Sequence, residues 1–242
     1  MRTPEPPAAL GIRFEQPVRF ADAVRLQEAL VAARQADRIP DTVLFLEHPP
    51  VITLGRRGRD RFLLKPVEEL HRIGIDVARA SRGGDVTYHA PGQVVMYPIL
   101  TLGAAEADAH GYLHNLEEIA IRAAAAFGIT AYRRPGMNGA WTDGGKFAAI
   151  GFHLKRWVTM HGMSVNVNLD LQGFDYIVGC GLVGERVTSF KVLLGERCPT
   201  CADVVDALAA RFSDVCGRAL TVNTPDAVAH PVARACLREC GF

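Results

Sequence analysis

Apolar residues recur at spacings of three and four over residues 22–38, where Ala23, Leu26, Leu30 and Ala33 predict one buried face of a helix. The period then shortens. Residues 42–46 and 51–54 are brief apolar runs parted by His48-Pro49-Pro50, which predicts two strands and a turn, the second strand stopping at Gly55. Pro66 stands at the first position of a short helix whose face is Val67, Leu70 and Ile73 and which Gly74 ends. A second long helix carries Leu113, Leu116, Ala120, Ala123 and Phe127 on one side and closes at Gly128. Residues 147–154 and 163–169 predict strands. In the latter, Met163, Val165, Val167 and Leu169 alternate with polar partners, so one face is buried. Helical spacing returns through Val204, Leu208 and Phe212, and Thr224-Pro225-Asp226 is the start signal of a further helix. The Pro-rich beginning reads as frayed chain, and residues 171–184 are punctuated by glycines. Helices at both ends and between strands, without strict βαβ alternation, predict an α+β fold with a mixed β-sheet, built as one domain over residues 1–242.

Composition narrows the function classes. Of 242 residues, 49% are apolar, enough for a sizeable core, and the net charge of +1 supplies no global field for a nucleic acid or a membrane surface. No apolar run approaches a membrane span and the start lacks a signal-type segment, so a cytoplasmic location is expected. Six cysteines spread through a chain of this length predict reduced thiols.

One stretch concentrates the signals for a ligand. Residues 81–98, SRGGDVTYHAPGQVVMYP, predict a hairpin with strands at 85–88 and 93–99 around the turn Ala90-Pro91-Gly92. Two readings of Gly83-Gly84, beside Arg82, stand together: a glycine bulge at the hairpin entrance, or a loop whose backbone N–H groups approach a ligand. Upstream, GRRGRDRF over 55–62 gathers Arg56, Arg57, Arg59 and Arg61, a solvated loop or a surface for an acidic partner.

Among residues with reactive chemistry, Cys180 lies between Gly179 and Gly181, where a thiol can be approached closely. A nucleophilic thiol needs a neighbour that stabilises its thiolate or accepts its proton, and a lysine can do either. Lys146 follows Asp143-Gly144-Gly145 and enters an apolar strand, an unusual place for a lysine that only meets water. His110 and His114 have the i, i+4 spacing of zinc ligands without the glutamate that a metalloprotease motif requires, and read as surface or helix-start residues. His89 at the turn and His161 at a strand entrance line a pocket or satisfy their own backbone neighbours. Cys198 and Cys201 form a C-x-x-C pair at a helix start, where the dipole lowers a thiol pKa. Cys236 and Cys240 are the residues that would complete a zinc site with them.

Taken in order, RGGDVTYHAPGQVVMYP over 82–98 closely resembles the hallmark of the lipoyl(octanoyl) transferases. HPPVITLGR over 48–56, GGKFAAIG over 144–151, MHGMSVNVNLDL over 160–171 and GCG over 179–181 agree with it. The resemblance implies the fold of the biotin and lipoate protein ligase catalytic domain, a mixed β-sheet flanked by helices with a smaller second sheet. It implies transfer of octanoyl from acyl carrier protein to a lysine of lipoyl domains, those of 2-oxoacid dehydrogenase complexes and the glycine cleavage H protein, through a thioester on the enzyme. Carried onto this chain, the nucleophile falls on Cys180 and its partner on Lys146. The substrate-binding segments fall on Arg82, Gly83, Gly84, Asp85, Val86, Thr87, Tyr88 and His89, on Ala149, Ile150 and Gly151, and on Gly162, Met163 and Ser164. No cofactor or metal is implied, because the octanoyl-phosphopantetheine of the carrier is a substrate group. The C-x-x-C pair of Cys198 and Cys201 and the last two cysteines, Cys236 and Cys240, lie outside the pattern. Two rivals remain: an ATP-dependent lipoate or biotin ligase of the same fold, and a non-catalytic adaptor that holds the carrier through the arginines of 56–61.

Overall fold

Gln93–Ile99 (β6) is buried at every residue and paired along both edges, which makes it the centre of the molecule. The computed structural model describes residues 7–104, 106–178 and 186–242. On one edge of β6 run Thr42–Leu46 (β2), then Ala8–Arg13 (β1) and, outermost, Ala219–Asn223 (β11); β1 pairs in parallel with both of its neighbours. On the other edge come Val158–Asn166 (β10), Gly145–Lys155 (β9), Met137–Thr142 (β8) and Tyr132–Arg134 (β7), all antiparallel. The result is a mixed eight-stranded sheet.

A second sheet of three strands stands beside it, with Val51–Leu54 (β3) between Asp76–Arg79 (β4) and Val86–His89 (β5). Ala109–Ala125 (α3) and Cys201–Cys216 (α5) cover one face of the large sheet, where Leu116, Ile119, Leu208 and Phe212 meet Phe45, Met96 and Val165. Phe20–Gln35 (α1) and Pro231–Glu239 (α6) cover part of the other through Leu26, Leu30 and Leu237. Val67–Arg72 (α2) closes the small sheet with Leu70, and Phe190–Leu194 (α4) is a single turn. Among the described residues no helix is long and apolar enough to cross a membrane.

The elements follow from local chemistry. Thr200 and Asp203 form a reciprocal capping box that starts α5, and Gly217 in the left-handed region ends it. The strands predicted at 42–46, 51–54 and 93–99 fall where the pattern puts them. Their connections do not. The stretch over 81–98 is not a hairpin: β5 belongs to the small sheet and β6 to the large one. Both edges of β6 are taken, by β2 and by β10, so none is left for β5, which pairs with β3 instead. The same crossing separates β2 from β3. The frayed start is corrected too, because Ala8–Arg13 pairs with β2 and β11. Thr224-Pro225-Asp226 opens only a 3-10 turn over Pro225–Ala227, and the helix begins at Pro231, capped by His230. The strand predicted at 163–169 starts at Val158 and ends at Asn166. Both of its faces are buried, and its polar alternation marks an internal site rather than a wetted surface.

Candidate active site

A slot opens where the small sheet approaches the large one. Its walls are Arg82 and Gly84 from the loop ahead of β5, Val86, Thr87 and His89 from β5, Val95 and Tyr97 from β6, and Phe20 from the start of α1. Ala149, Ile150 and Gly151 of β9 and Gly162, Met163 and Ser164 of β10 complete it. The last two trios are neighbouring rungs of one ladder, pairing Ala149 with Ser164, Ile150 with Met163 and Gly151 with Gly162. Gly151 is what lets the loop lie on the strand, since a Cβ there would come within 2.8 Å of the Gly83 carbonyl oxygen and 3.2 Å of Arg82 Cδ. Gly83 N–H donates to the Phe152 carbonyl over 2.8 Å and fixes that approach.

Three members of the predicted set turn away from the slot. Tyr88 packs edge-on against Phe174 in the small core, as the period of a strand requires between Thr87 and His89. Asp85 accepts from Gly55 N–H through its carbonyl and pairs with Arg57 through its carboxylate at 3.4 Å. Gly83 serves through its backbone alone.

Beneath the slot lies a hydrogen-bonded polar cluster, in which His161 Nδ1 is buried without a partner among the described residues. Arg82 Nη2 donates to the Thr53 carbonyl at 2.6 Å and to Thr53 Oγ1 at 2.7 Å. Thr53 Oγ1 stands 3.5 Å from His89 Nε2, and His89 Nδ1 is 2.6 Å from Gln93 Oε1. Because Gln93 gives its amide hydrogens to the Tyr88 carbonyl and Asn166 Oδ1, its oxygen must accept, so His89 carries its proton on Nδ1. By the same reasoning His48 donates from Nδ1 to the Val18 carbonyl at 2.6 Å and accepts the Tyr97 hydroxyl on Nε2 at 2.8 Å. His161 Nε2 meets Ser81 Oγ at 2.9 Å. Burial pushes His48 down to about 4 and His161 down to about 3, with the Arg82 charge adding to the effect on His161. It holds His89 well below the usual imidazole range, with His48 next in effect. Burial likewise pushes the Tyr97 phenol up. The site is therefore built from neutral rings and one fixed guanidinium.

The chain of bonds continues past Gln93. Asn166 Nδ2 donates to the Thr188 carbonyl at 3.0 Å, and Thr188 N–H donates to the Lys146 carbonyl at 2.9 Å. Lys146 N–H in turn donates to the Arg186 carbonyl at 2.8 Å, so residues 186–188 bracket the lysine backbone. The register between β8 and β9 shifts by one residue: Ala140 faces Ala148 while Trp141 faces Lys146. Phe147 is the extra residue, and it joins Ala148 in the core under α3 and α5. That bulge puts Lys146 on the same face of β9 as Ala149 and Gly151. Cys180, with Gly179 and Gly181, lies in 179–185, outside the described residues. The chain enters that segment at Val178, whose N–H is bound by the Phe62 carbonyl, and re-emerges at Arg186 against Lys146.

Several candidates stand elsewhere. His110 and His114 are exposed on α3. Cys198, Cys201, Cys236 and Cys240 are free thiols, and among the described residues no group of three His, Cys, Asp or Glu could hold a metal. The dipole expectation for the C-x-x-C pair is corrected, because burial and the neighbouring Glu47 push Cys201 up to about 12, and burial raises Cys198. What the sequence reading missed is Phe20, His48, Thr53, Gln93, Val95, Tyr97 and Asn166. The available signal was a polar residue inside an apolar strand: Thr53 in VITL, Gln93 heading QVVMYPI, Asn166 in the β10 alternation.

Residues 19–213 match the lipoyl protein ligase A/B catalytic domain. An octanoyltransferase of Geobacter metallireducens is 47% identical over 195 residues, 81% of this chain and 88% of its own. One of Syntrophotalea carbinolica is 49% identical over 177 residues, 73% of this chain and 81% of its own. In fold, the chain is similar to the bipartite lipoate protein ligase of Thermoplasma acidophilum, whose structure was analysed with its E2 lipoyl domain. The TM-score is 0.75 at 15% identity, covering 97% of this chain and 91% of that one.

Proposed function

The chain belongs to the lipoyl protein ligase A/B catalytic-domain family, and on that premise we propose that it transfers octanoyl from acyl carrier protein to a lysine of lipoyl domains. The observation that carries this reading is that loop 82–84 and the 149–151 and 162–164 trios border one slot, with Lys146 on the face of β9 that carries Ala149 and Gly151. The slot suits an acyl chain. Arg82, His89 and Tyr97 direct their hydrogen bonds to Thr53, Gln93 and His48 behind the wall, which leaves Phe20, Val86, Val95, Ile150 and Met163 to enclose a hydrocarbon.

In the reaction, Lys146 takes the Cys180 proton and the thiolate attacks the thioester carbonyl of the octanoyl donor. The carrier's C–S bond breaks, its thiolate recovers the proton from Lys146, and octanoyl remains on Cys180. The amine of the lipoyl-domain lysine then attacks this second thioester. Lys146 removes the surplus proton from the new amide nitrogen and returns it to the departing Cys180 thiolate. Backbone N–H groups near Gly151 or the Cys180 loop would steady the tetrahedral oxyanion. The lipoyl-domain acceptor draws support from the structural neighbour analysed with such a domain.

Intact mass tests this directly. After mixing with octanoyl-acyl carrier protein the chain should gain one octanoyl group, and Cys180→Ala should not. A Cys180→Ala chain that still carries the group and transfers it defeats the mechanism. Transfer that requires ATP and free octanoate instead would favour the ligase reading.

A further inference from the structure

We propose that Trp141 is a positioning residue that seats the Lys146 ammonium on its indole face, an inference that rests on Lys146 acting in the transfer. β8 and β9 set the two residues directly opposite one another, which sends both side chains to the same face of the sheet. The indole cannot wander. It is 1% exposed, and its Nε1–H donates to the Met137 carbonyl at 3.2 Å. Lys146 Nζ lies 4.9 Å from the ring centroid and Arg134 Cζ 4.5 Å from the same centroid, so two cations share one ring.

Gly139 clears the path of the lysine stem. A Cβ there would stand 3.0 Å from Lys146 Cε and 2.4 Å from the Ala148 carbonyl oxygen, and its φ of +114° disfavours any side chain. Its N–H donates to Glu117 Oε1 at 2.9 Å, which ties this point of β8 to α3.

The choice of an aromatic seat has a chemical reason. A carboxylate would hold the ammonium by directional hydrogen bonds and occupy the hydrogens that must reach a sulfur. A ring face attracts the charge through its quadrupole and leaves those N–H bonds to point elsewhere. Trp141 thus fixes where the proton carrier sits without competing for the proton.

The test uses the small number of tryptophans and lysines in the chain, two and four. In a Trp157→Phe background, incorporation of mono-, di- and trifluorotryptophan drains charge from ring 141 alone at nearly constant shape. Octanoyl transfer from octanoyl-acyl carrier protein to a lipoyl domain should slow stepwise, about tenfold over the series, in kcat rather than KM. In 13Cε-lysine spectra the Lys146 signal, identified by its loss in Lys146→Ala, should show an upfield ring-current displacement that Trp141→Met removes and Trp141→Phe keeps. A flat rate series, or a Lys146 signal that Trp141→Met leaves in place, overturns the proposal. Normal transfer by Lys146→Ala with the ring-current displacement intact in the wild type would instead defeat the role given to Lys146, so the two failures are distinguishable.

Discussion

Gln93 Nε2 donates to Asn166 Oδ1 across 2.8 Å, joining the strand beneath the slot to the one that holds Thr188 against Lys146. Both residues are buried, at 1% and 5% exposure, and the pair is the middle link between the Arg82 guanidinium and the lysine backbone. A buried amide pair of this kind is favourable only while every member is satisfied.

Asn166→Leu should therefore cost stability and rate together. It leaves the Thr188 carbonyl and one Gln93 hydrogen without partners, at about 1–3 kcal/mol for each buried group stranded. Denaturant unfolding reads the first effect. Acyl transfer reads the second, through the loosened strand that brackets Lys146. An Asn166→Leu chain as stable and as fast as the wild type would show the link to be idle.

Gly151→Ala tests the slot without touching the core. The added methyl must displace the Gly83 carbonyl or the Arg82 stem from β9. The loop lies at the sheet surface, so the melting temperature should fall by only a few degrees, on the scale of about 1 kcal/mol. Transfer should fall at least tenfold. Unchanged kinetics would mean that loop 82–84 does not border the acyl chain.

The β9 and β10 segments were legible as motifs, and the structure brings their six residues into register on two paired strands, while alternation in β5 sorts Thr87 and His89 from Val86 and Tyr88, which join the small core. Which strands pair was not legible. The Pro91-Gly92 turn between β5 and β6 has the residues of a hairpin, yet the Gly92 carbonyl is taken up by the N–H groups of Val167, Asn168 and Leu169. That tertiary capture sends β6 into the other sheet. Nor does local sequence place β1 beside β11, a parallel pair whose members are more than two hundred positions apart. Ser164 and Asn166 looked like a wetted face because period 2 reports alternation and not what lies opposite.

The buried imidazoles predict a specific acid sensitivity. His48 and His161 are held neutral to about 4 and about 3, and His89 well below its ordinary value, while the unfolded chain protonates them near 6.5. Between those values the unfolded state binds more protons, so stability must rise with pH there and be lost as pH falls from about 6.5. For His48 alone the shift to about 4 corresponds to ~3 kcal/mol once pH reaches the folded value. Asp22, Glu106, Glu118 and Asp203, all lowered by their partners, add their losses only at more acid pH. The urea midpoint followed from pH 6.5 to 4.5 isolates the histidine part. His48→Gln, which can still donate to Val18 and accept from Tyr97, should flatten the slope; an equally steep slope would remove His48 from the account.

The proposed acyl donor, acyl carrier protein, gives the exposed arginines of 55–62 a testable role as its docking surface. Arg56, Arg57, Arg59 and Arg61 are exposed at the mouth of the small sheet, and their loop is tied to the slot by backbone bonds from Arg56 to the Arg82 carbonyl and from Arg57 to the Gly84 carbonyl. Arg57 is partly engaged by Asp85, which leaves Arg56 and Arg59 as the better pair to remove. An acidic carrier attracted by this cluster should show a KM that climbs with ionic strength, because exposed charges are screened beyond about 8–10 Å at 0.1–0.15 M salt. Replacing Arg56 and Arg59 by serine should raise KM for the octanoyl carrier several-fold at low salt and flatten that climb, with kcat unchanged, because neither side chain lines the slot. The same salt dependence in the double variant as in the wild type would move the docking surface elsewhere on the molecule.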